Sequence, residues 1–136
     1  INAVENATGV RPLETYLGDI NLFAVFDNED VVSNMTPNFN VVSKLDGQGL
    51  IISSVSNQYD FVSRYFCPKY GINEDPVTGS AHTTLIPYWS EKLNKISLTA
   101  KQVSKRGGEL FCENTDNRVL IGGNAVLYMK GVIEID

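Results

Sequence analysis

A chain of 136 residues is long enough for one hydrophobic core and too short for two comfortable ones. Hydrophobic residues at 43%, charged residues at 20% and a net charge of −5 describe an ordinary folded domain without the basic excess that nucleic acid requires. The densest basic stretch, Lys101 to Arg106, holds three cations broken up by other residues, and no apolar run approaches the ~20 residues of a membrane helix. Nucleic acid and membrane are therefore not expected partners.

From the N-terminus, residues 1–8 suggest a short helix stopped at Gly9, with Pro12 just beyond. Ile1-Asn2-Ala3-Val4-Glu5 has neither the basic start nor the apolar core of a signal peptide, and no Met. Removal of an upstream segment, or excision from a longer chain, is the expectation. Asp19 to Phe26 reads as a strand. Asn28 then precedes Glu29-Asp30 and Val31-Val32, the pattern of a capped short helix. Pro37 to Leu45 repeats it, with Thr36 as N-cap and Pro37 in the first helical position.

Gly47 and Gly49 break the chain before a strand over Leu50 to Val55. Tyr59 to Phe66 alternates, placing Tyr59, Phe61, Ser63 and Tyr65 on one face and Asp60, Val62, Arg64 and Phe66 on the other. Residues 79–93 carry the only long helical signal, with Ala81, Leu85, Trp89 and Leu93 on one stripe. Pro87 lies inside it and predicts a kink or break. The rest reads as β: Ile96 to Val103, Glu109 to Glu113, Arg118 to Ile121 after a Thr115-Asp116-Asn117 turn, and a last long strand over Ala125 to Ile135. Short strands around one helix predict a single α+β domain.

Cys67 and Cys112 lie far apart with no C-x-x-C spacing, which favours two buried thiols in a reducing cytoplasm over a disulfide. His82 is the only histidine, so a zinc site is not expected.

Residues 74–82 are where chemistry concentrates. Pro76 forces Asp75 into an extended conformation beside Glu74, and Thr78 stands where a helix N-cap is expected. The N–H groups of Gly79, Ser80 and Ala81 would project from the helix end, where the dipole adds partial positive charge and favours an anion. Asp, Thr, Gly and Ser before a helix are, on spacing alone, most often turn and cap residues.

Glu74-Asp75-Pro76-Val77-Thr78-Gly79-Ser80-Ala81-His82 resembles the signature of the PhzF (phenazine-biosynthesis-like) isomerases, within the wider diaminopimelate-epimerase-like fold. Tyr59 to Phe66, Pro87-Tyr88-Trp89 and Arg106-Gly107-Gly108-Glu109-Leu110 fit its flanks, and the resemblance runs from about Pro12 to Gly131. It implies one lobe of a two-lobed protein: a curled, mainly antiparallel sheet or small barrel around a central helix, with the active site in the cleft between lobes. It also implies acid–base isomerisation of a small carboxylic acid, without metal or organic cofactor. Asp75 would contact the substrate's polar groups and assist proton movement, and Gly79, Ser80 and Ala81 would bind its carboxylate. Thr78, Glu74 and His82 are further candidate site residues within the motif.

The family's principal proton-shuttling Glu and its Gly-Asn-Pro-type segment belong to the N-terminal lobe, and neither occurs here. The chain is thus expected to be a C-terminal lobe supplying half a site, inactive alone, in a cytoplasmic protein. The alternative is a non-catalytic lobe that binds a carboxylate or self-associates, as a homodimer, through the face that would meet the missing one.

A hydrolase triad of Ser80, His82 and Asp75 is disfavoured, because residues two apart on a helix point to different sides. His82 is expected to pack or bond locally. A two-thiol racemase is disfavoured because neither cysteine stands at the helix start. Arg64 is expected in a structural ion pair with Asp60 or Glu74, the tyrosines and Trp89 in the core, and Gln102, Ser104 and Arg106 to Gly108 in a rim loop.

Overall fold

The computed structural model describes residues 1–115 and 117–135. Its spine is an eight-stranded mixed sheet: β1 (Glu14–Leu17), β2 (Leu22–Val25), β3 (Leu50–Val55), β4 (Phe61–Phe66), β5 (Glu74–Asp75), β6 (Ser97–Gln102), β7 (Gly108–Asn114) and β8 (Val119–Gly122). The strand order is β1-β2-β3-β4-β6-β7-β8, with the two-residue β5 paired to the end of β4. Pairs β2–β3 and β4–β6 are parallel and the others antiparallel. The sheet is open, with β1 and β8 as its edges.

Both faces are covered, which is why the central strands read as nearly continuous apolar runs. On the inner face lies α4 (His82–Leu93), whose Leu85, Ile86 and Trp89 pack with Phe23, Ile51 and Phe61. On the outer face lie α1 (Asn2–Thr8), α2 (Glu29–Asn34) and α3 (Phe39–Val42), closing a second cluster through Val4, Val32 and Val42 over Ile52, Val62 and Phe66. The alternation along β4 is as expected: Phe61 and Tyr65 join the inner cluster, Val62 and Phe66 the outer.

Several local signals act as the sequence predicts. Gly9 ends α1 at φ 74°, a left-handed conformation that glycine adopts without penalty. The Asn28 side chain accepts the Val31 N–H and caps α2. The third helix starts later than expected, at Phe39, because Asn38 rather than Thr36 supplies the cap, accepting from Asn40 and Val41.

Pro87 does not break α4. The helix continues across it to Leu93, since buried Leu85, Ile86 and Trp89 flank the proline and their packing offsets one missing backbone bond. Strand β1, between Pro12 and Asp19 where the sequence predicts no element, forms as the antiparallel partner of β2.

The hairpin between β7 and β8 is closed by Thr115 N–H to Arg118 O, at 2.9 Å; Asp116 of the expected turn lies outside the described residues. The long strand expected over Ala125 to Ile135 is not formed. Those residues are irregular and their large apolar side chains are exposed, because a strand needs a neighbouring ladder and no strand among the described residues pairs with them. Cys67 and Cys112 are buried free thiols, and no helix among the described residues is long and apolar enough to cross a membrane.

Candidate functional site

Strand β5 and the start of α4 converge at the end of β4. Asp75 stands opposite Tyr65 in the β4–β5 ladder, so both side chains share a face. That face opens into a cavity of about 760 Å³, walled by Asp75, Thr78 and Ser80 on one side and by Asn21, Tyr65 and Cys67 on another. The Tyr65 hydroxyl donates to Asn21 Oδ1 at 2.8 Å, and burial pushes its pKa up to about 12. A side chain at Gly49 would lie 2.5 Å from that hydroxyl, so the glycine is what admits the ring. Burial, then the neighbouring Asp75 charge, raises the Cys67 thiol above its ordinary range and keeps it protonated.

The turn before α4 is tighter than expected. Helical geometry begins at His82, preceded by a turn in which His82, Thr83 and Thr84 donate to Gly79, Ser80 and Ala81. Thr78 is therefore not the N-cap, and α4 has no side-chain cap. Its hydroxyl is instead committed to Asp75 Oδ2.

Among the described residues the N–H groups of Gly79, Ser80 and Ala81 donate to nothing in the chain. Their surroundings differ: Ser80 lines the cavity, Gly79 opens on a neighbouring cleft beside Arg106 and Gly108, and Ala81 is buried in the inner cluster.

Glu74 points away from the cavity's chemistry. It forms a two-pronged pair with Arg64, Nε to Oε1 at 2.7 Å and Nη2 to Oε2 at 2.9 Å. The same guanidinium donates to the carbonyls of Val32 and Met35 at the end of α2. Asp60, the other partner considered for Arg64, instead binds Lys95 and the Thr99 N–H. His82 is fully buried against the Phe61 ring, with Nδ1 2.8 Å from the Thr78 carbonyl. Facing a carbonyl, Nδ1 carries the proton and donates. Nε2 is left buried without a partner, and burial holds the imidazole pKa below its ordinary value.

Gln102 is not on a rim loop. It ends β6, is 1% exposed, and bonds to both Asp75 and Thr78. The available signal was its register: Leu98, Ala100 and Gln102 alternate toward the core, and a polar side chain in that series needs a specific partner. Asn21 and Tyr65 were likewise not anticipated at the site. Among the described residues no cluster of three His, Cys, Asp or Glu could hold a metal ion.

An open curled sheet wrapped on one helix, with an acidic strand end beside the helix start, defines one lobe of the diaminopimelate-epimerase-like class. Residues 5–131 match the family model described as phenazine biosynthesis-like protein, and the chain belongs to this PhzF family. It is 45% identical over 132 residues to an uncharacterised isomerase of Pseudomonas aeruginosa, covering 97% of this chain and 51% of that protein. A phenazine biosynthesis-like domain-containing protein of Bos taurus is 57% identical over 76 residues, 55% of this chain and 26% of the bovine protein.

Among solved structures, a PhzF family protein of Enterococcus faecalis superposes with a TM-score of 0.90 at 49% identity, over 95% of this chain and 50% of that one. A phenazine biosynthesis PhzC/PhzF protein of Clostridium difficile gives 0.84 at 46% identity, over 98% and 50%. The chain thus spans about half the length of the relatives matched along its whole course.

Proposed function

We propose that this chain forms one wall of the active site of a PhzF-type isomerase that moves a proton on a small carboxylic acid. A base takes the proton from carbon next to the carboxylate. Either a proton returns to that carbon from its other face, or, in an unsaturated acid, the freed pair forms a new double bond while the old π pair takes a proton at its far carbon. No electrons enter or leave, so the chemistry calls for positioned acids and bases and for no redox partner. Asp75 contacts the substrate's polar group and assists the proton transfer; of the free N–H groups at Gly79, Ser80 and Ala81, that of Ser80, the one of the three that lines the cavity, receives the carboxylate. The principal catalytic Glu comes from a second, N-terminal lobe.

The observation that carries this reading is the cavity itself. It gathers Asp75, Thr78 and Ser80, and its rim is apolar and open: Ile20, Tyr70 and Ile72 line it while 59%, 60% and 50% exposed. Such a rim is suited to burial under another lobe rather than to water. The exposed apolar run from Val126 to Ile135 supports a large second surface in the same way. It also favours the other reading, a lobe that self-associates without catalysis. An upstream reading frame encoding a Glu-bearing lobe separates the two.

The reaction is tested by proton exchange. The full-length protein and its Asp75→Asn variant are incubated in heavy water with a panel of 2-amino, 2-hydroxy and ring-bearing unsaturated carboxylic acids, and deuterium uptake is followed by NMR. At least one acid should exchange, and the variant should be slower by about a hundredfold or more. Equal exchange in both removes Asp75 from the mechanism.

A further inference from the structure

We propose that Gln102 is a positioning residue for this site, fixing the direction of the Thr78 hydroxyl and so leaving one defined oxygen of Asp75 for the substrate. The inference rests on the reading of Asp75 given above. Gln102 reaches the Asp75–Thr78 loop from across the sheet, 24 residues further along the chain than Thr78.

The orientation of its amide is forced. Oε1 lies 2.8 Å from the backbone N of Thr78 and can only accept there. Nε2 lies 2.8 Å from the Asp75 carbonyl oxygen and can only donate there. The reversed amide would set oxygen against oxygen and N–H against N–H. The second Nε2 proton goes to Thr78 Oγ1, at 3.1 Å, and the donor capacity of the amide is then full.

Thr78 Oγ1 already accepts from Gln102, so its own proton must point elsewhere, and the acceptor within reach is Asp75 Oδ2. The chain of donation therefore runs one way, from Gln102 to Thr78 to Asp75. It commits Oδ2, whereas Oδ1 makes no hydrogen bond among the described residues, and Asp75 lines the cavity.

The rest of Thr78 is held as firmly. Its carbonyl accepts the Nδ1 proton of His82, so its N–H, C=O and hydroxyl are all engaged. Just beyond Gln102, the Ser104 hydroxyl donates to the Pro76 carbonyl at 2.7 Å, a second tie between the end of β6 and the same loop. Neutral, buried and bonded on both ends, Gln102 offers the site no charge of its own. Its effect passes through Thr78.

The test uses ligand-free full-length protein labelled with 15N in threonine, leucine and glutamine. In Gln102→Met the Thr78 amide should exchange with solvent about tenfold or more faster, while the Leu85 amide of α4 is unchanged. Unchanged Thr78 exchange overturns the proposal. Should Gln102→Met fail to fold, Thr78→Val provides the measurement: one Gln102 side-chain proton should shift and exchange faster, and an unaltered NH2 pair overturns it equally.

Kinetics with an acid found to exchange add a readout that mere structural support would not move. Gln102→Met and Thr78→Val should each lower kcat about tenfold or more with KM within about threefold, and the double variant should be no slower than either. Additive losses overturn the relay. If Asp75→Asn leaves proton exchange intact, the role proposed for Asp75 falls while the amide measurements still decide the Gln102 clamp. If Asp75→Asn abolishes exchange and Gln102→Met does not slow it, the clamp alone falls.

Discussion

Arg64 and Glu74 meet side-on across the β4–β5 end of the sheet, two nearly parallel bonds of 2.7 and 2.9 Å between largely buried side chains. The pair ties the strand that carries Asp75 to the last turn of α2, because the guanidinium also takes carbonyls from that helix. Its two halves are unequal. Arg64→Met strands a part-buried carboxylate and the carbonyls, and should cost about 2–4 kcal/mol in urea unfolding. Glu74→Gln keeps an acceptor and leaves the guanidinium its carbonyls, so about 1 kcal/mol is expected. Equal losses in the two variants would contradict the argument.

His82 makes stability pH-dependent in a known direction. Burial lowers its folded-state pKa below the unfolded 6.5, so the unfolded chain binds more protons in that window. The contribution is complete above pH 6.5 and is lost as pH falls toward the folded value, by at most about 1.4 kcal/mol per pH unit. His82→Asn retains a donor for the Thr78 carbonyl and removes the titration. Its unfolding free energy should therefore vary less with pH between 6.5 and 5, measured by urea titration at each pH.

The thiols should report unfolding. Burial pushes the Cys112 pKa up to about 11 and raises that of Cys67, so little thiolate is present at pH 8. A chromogenic disulfide reagent should react with both cysteines in denaturant and with neither on the same timescale in the native protein. Fast native labelling at Cys67 would show that its side of the cavity is open to solvent.

Gly49→Ala should disturb the site from behind. The new methyl group would fall within 2.6 Å of the Tyr65 ring and 2.5 Å of its hydroxyl, displacing the ring and its bond to Asn21. A loss of about 1–3 kcal/mol is expected. Tyr65→Phe, which deletes only the hydroxyl, should lose about 1 kcal/mol. Thermal unfolding of the two variants compares them directly.

What the sequence made legible was local or periodic. Gly9 and Asn28 act through their immediate neighbours, and the alternation over Phe61 to Phe66 reports the two covered faces of one strand. The misreadings come from partners far along the chain. Thr78 looks like a helix cap until Gln102 and Asp75 claim its hydroxyl. Pro87 looks like a break until Leu85 and Trp89 are seen buried on either side. Ala125 to Ile135 has strand composition, but composition supplies no ladder to join. Asp75 was legible as a residue; the three bonds of Gln102 that surround it were not.

The cavity divides its walls by origin. Asp75 and Thr78 sit at the end of β5 and in the turn after it, locked from β6, whereas Ile20, Tyr70 and Ile72 sit on exposed connections outside that lock. Substitutions at the rim can therefore reshape the opening without loosening Asp75. If the proposed function holds, a lineage built this way would drift from one acid to another while its proton chemistry stays constant, and kinship would predict the reaction better than the molecule transformed.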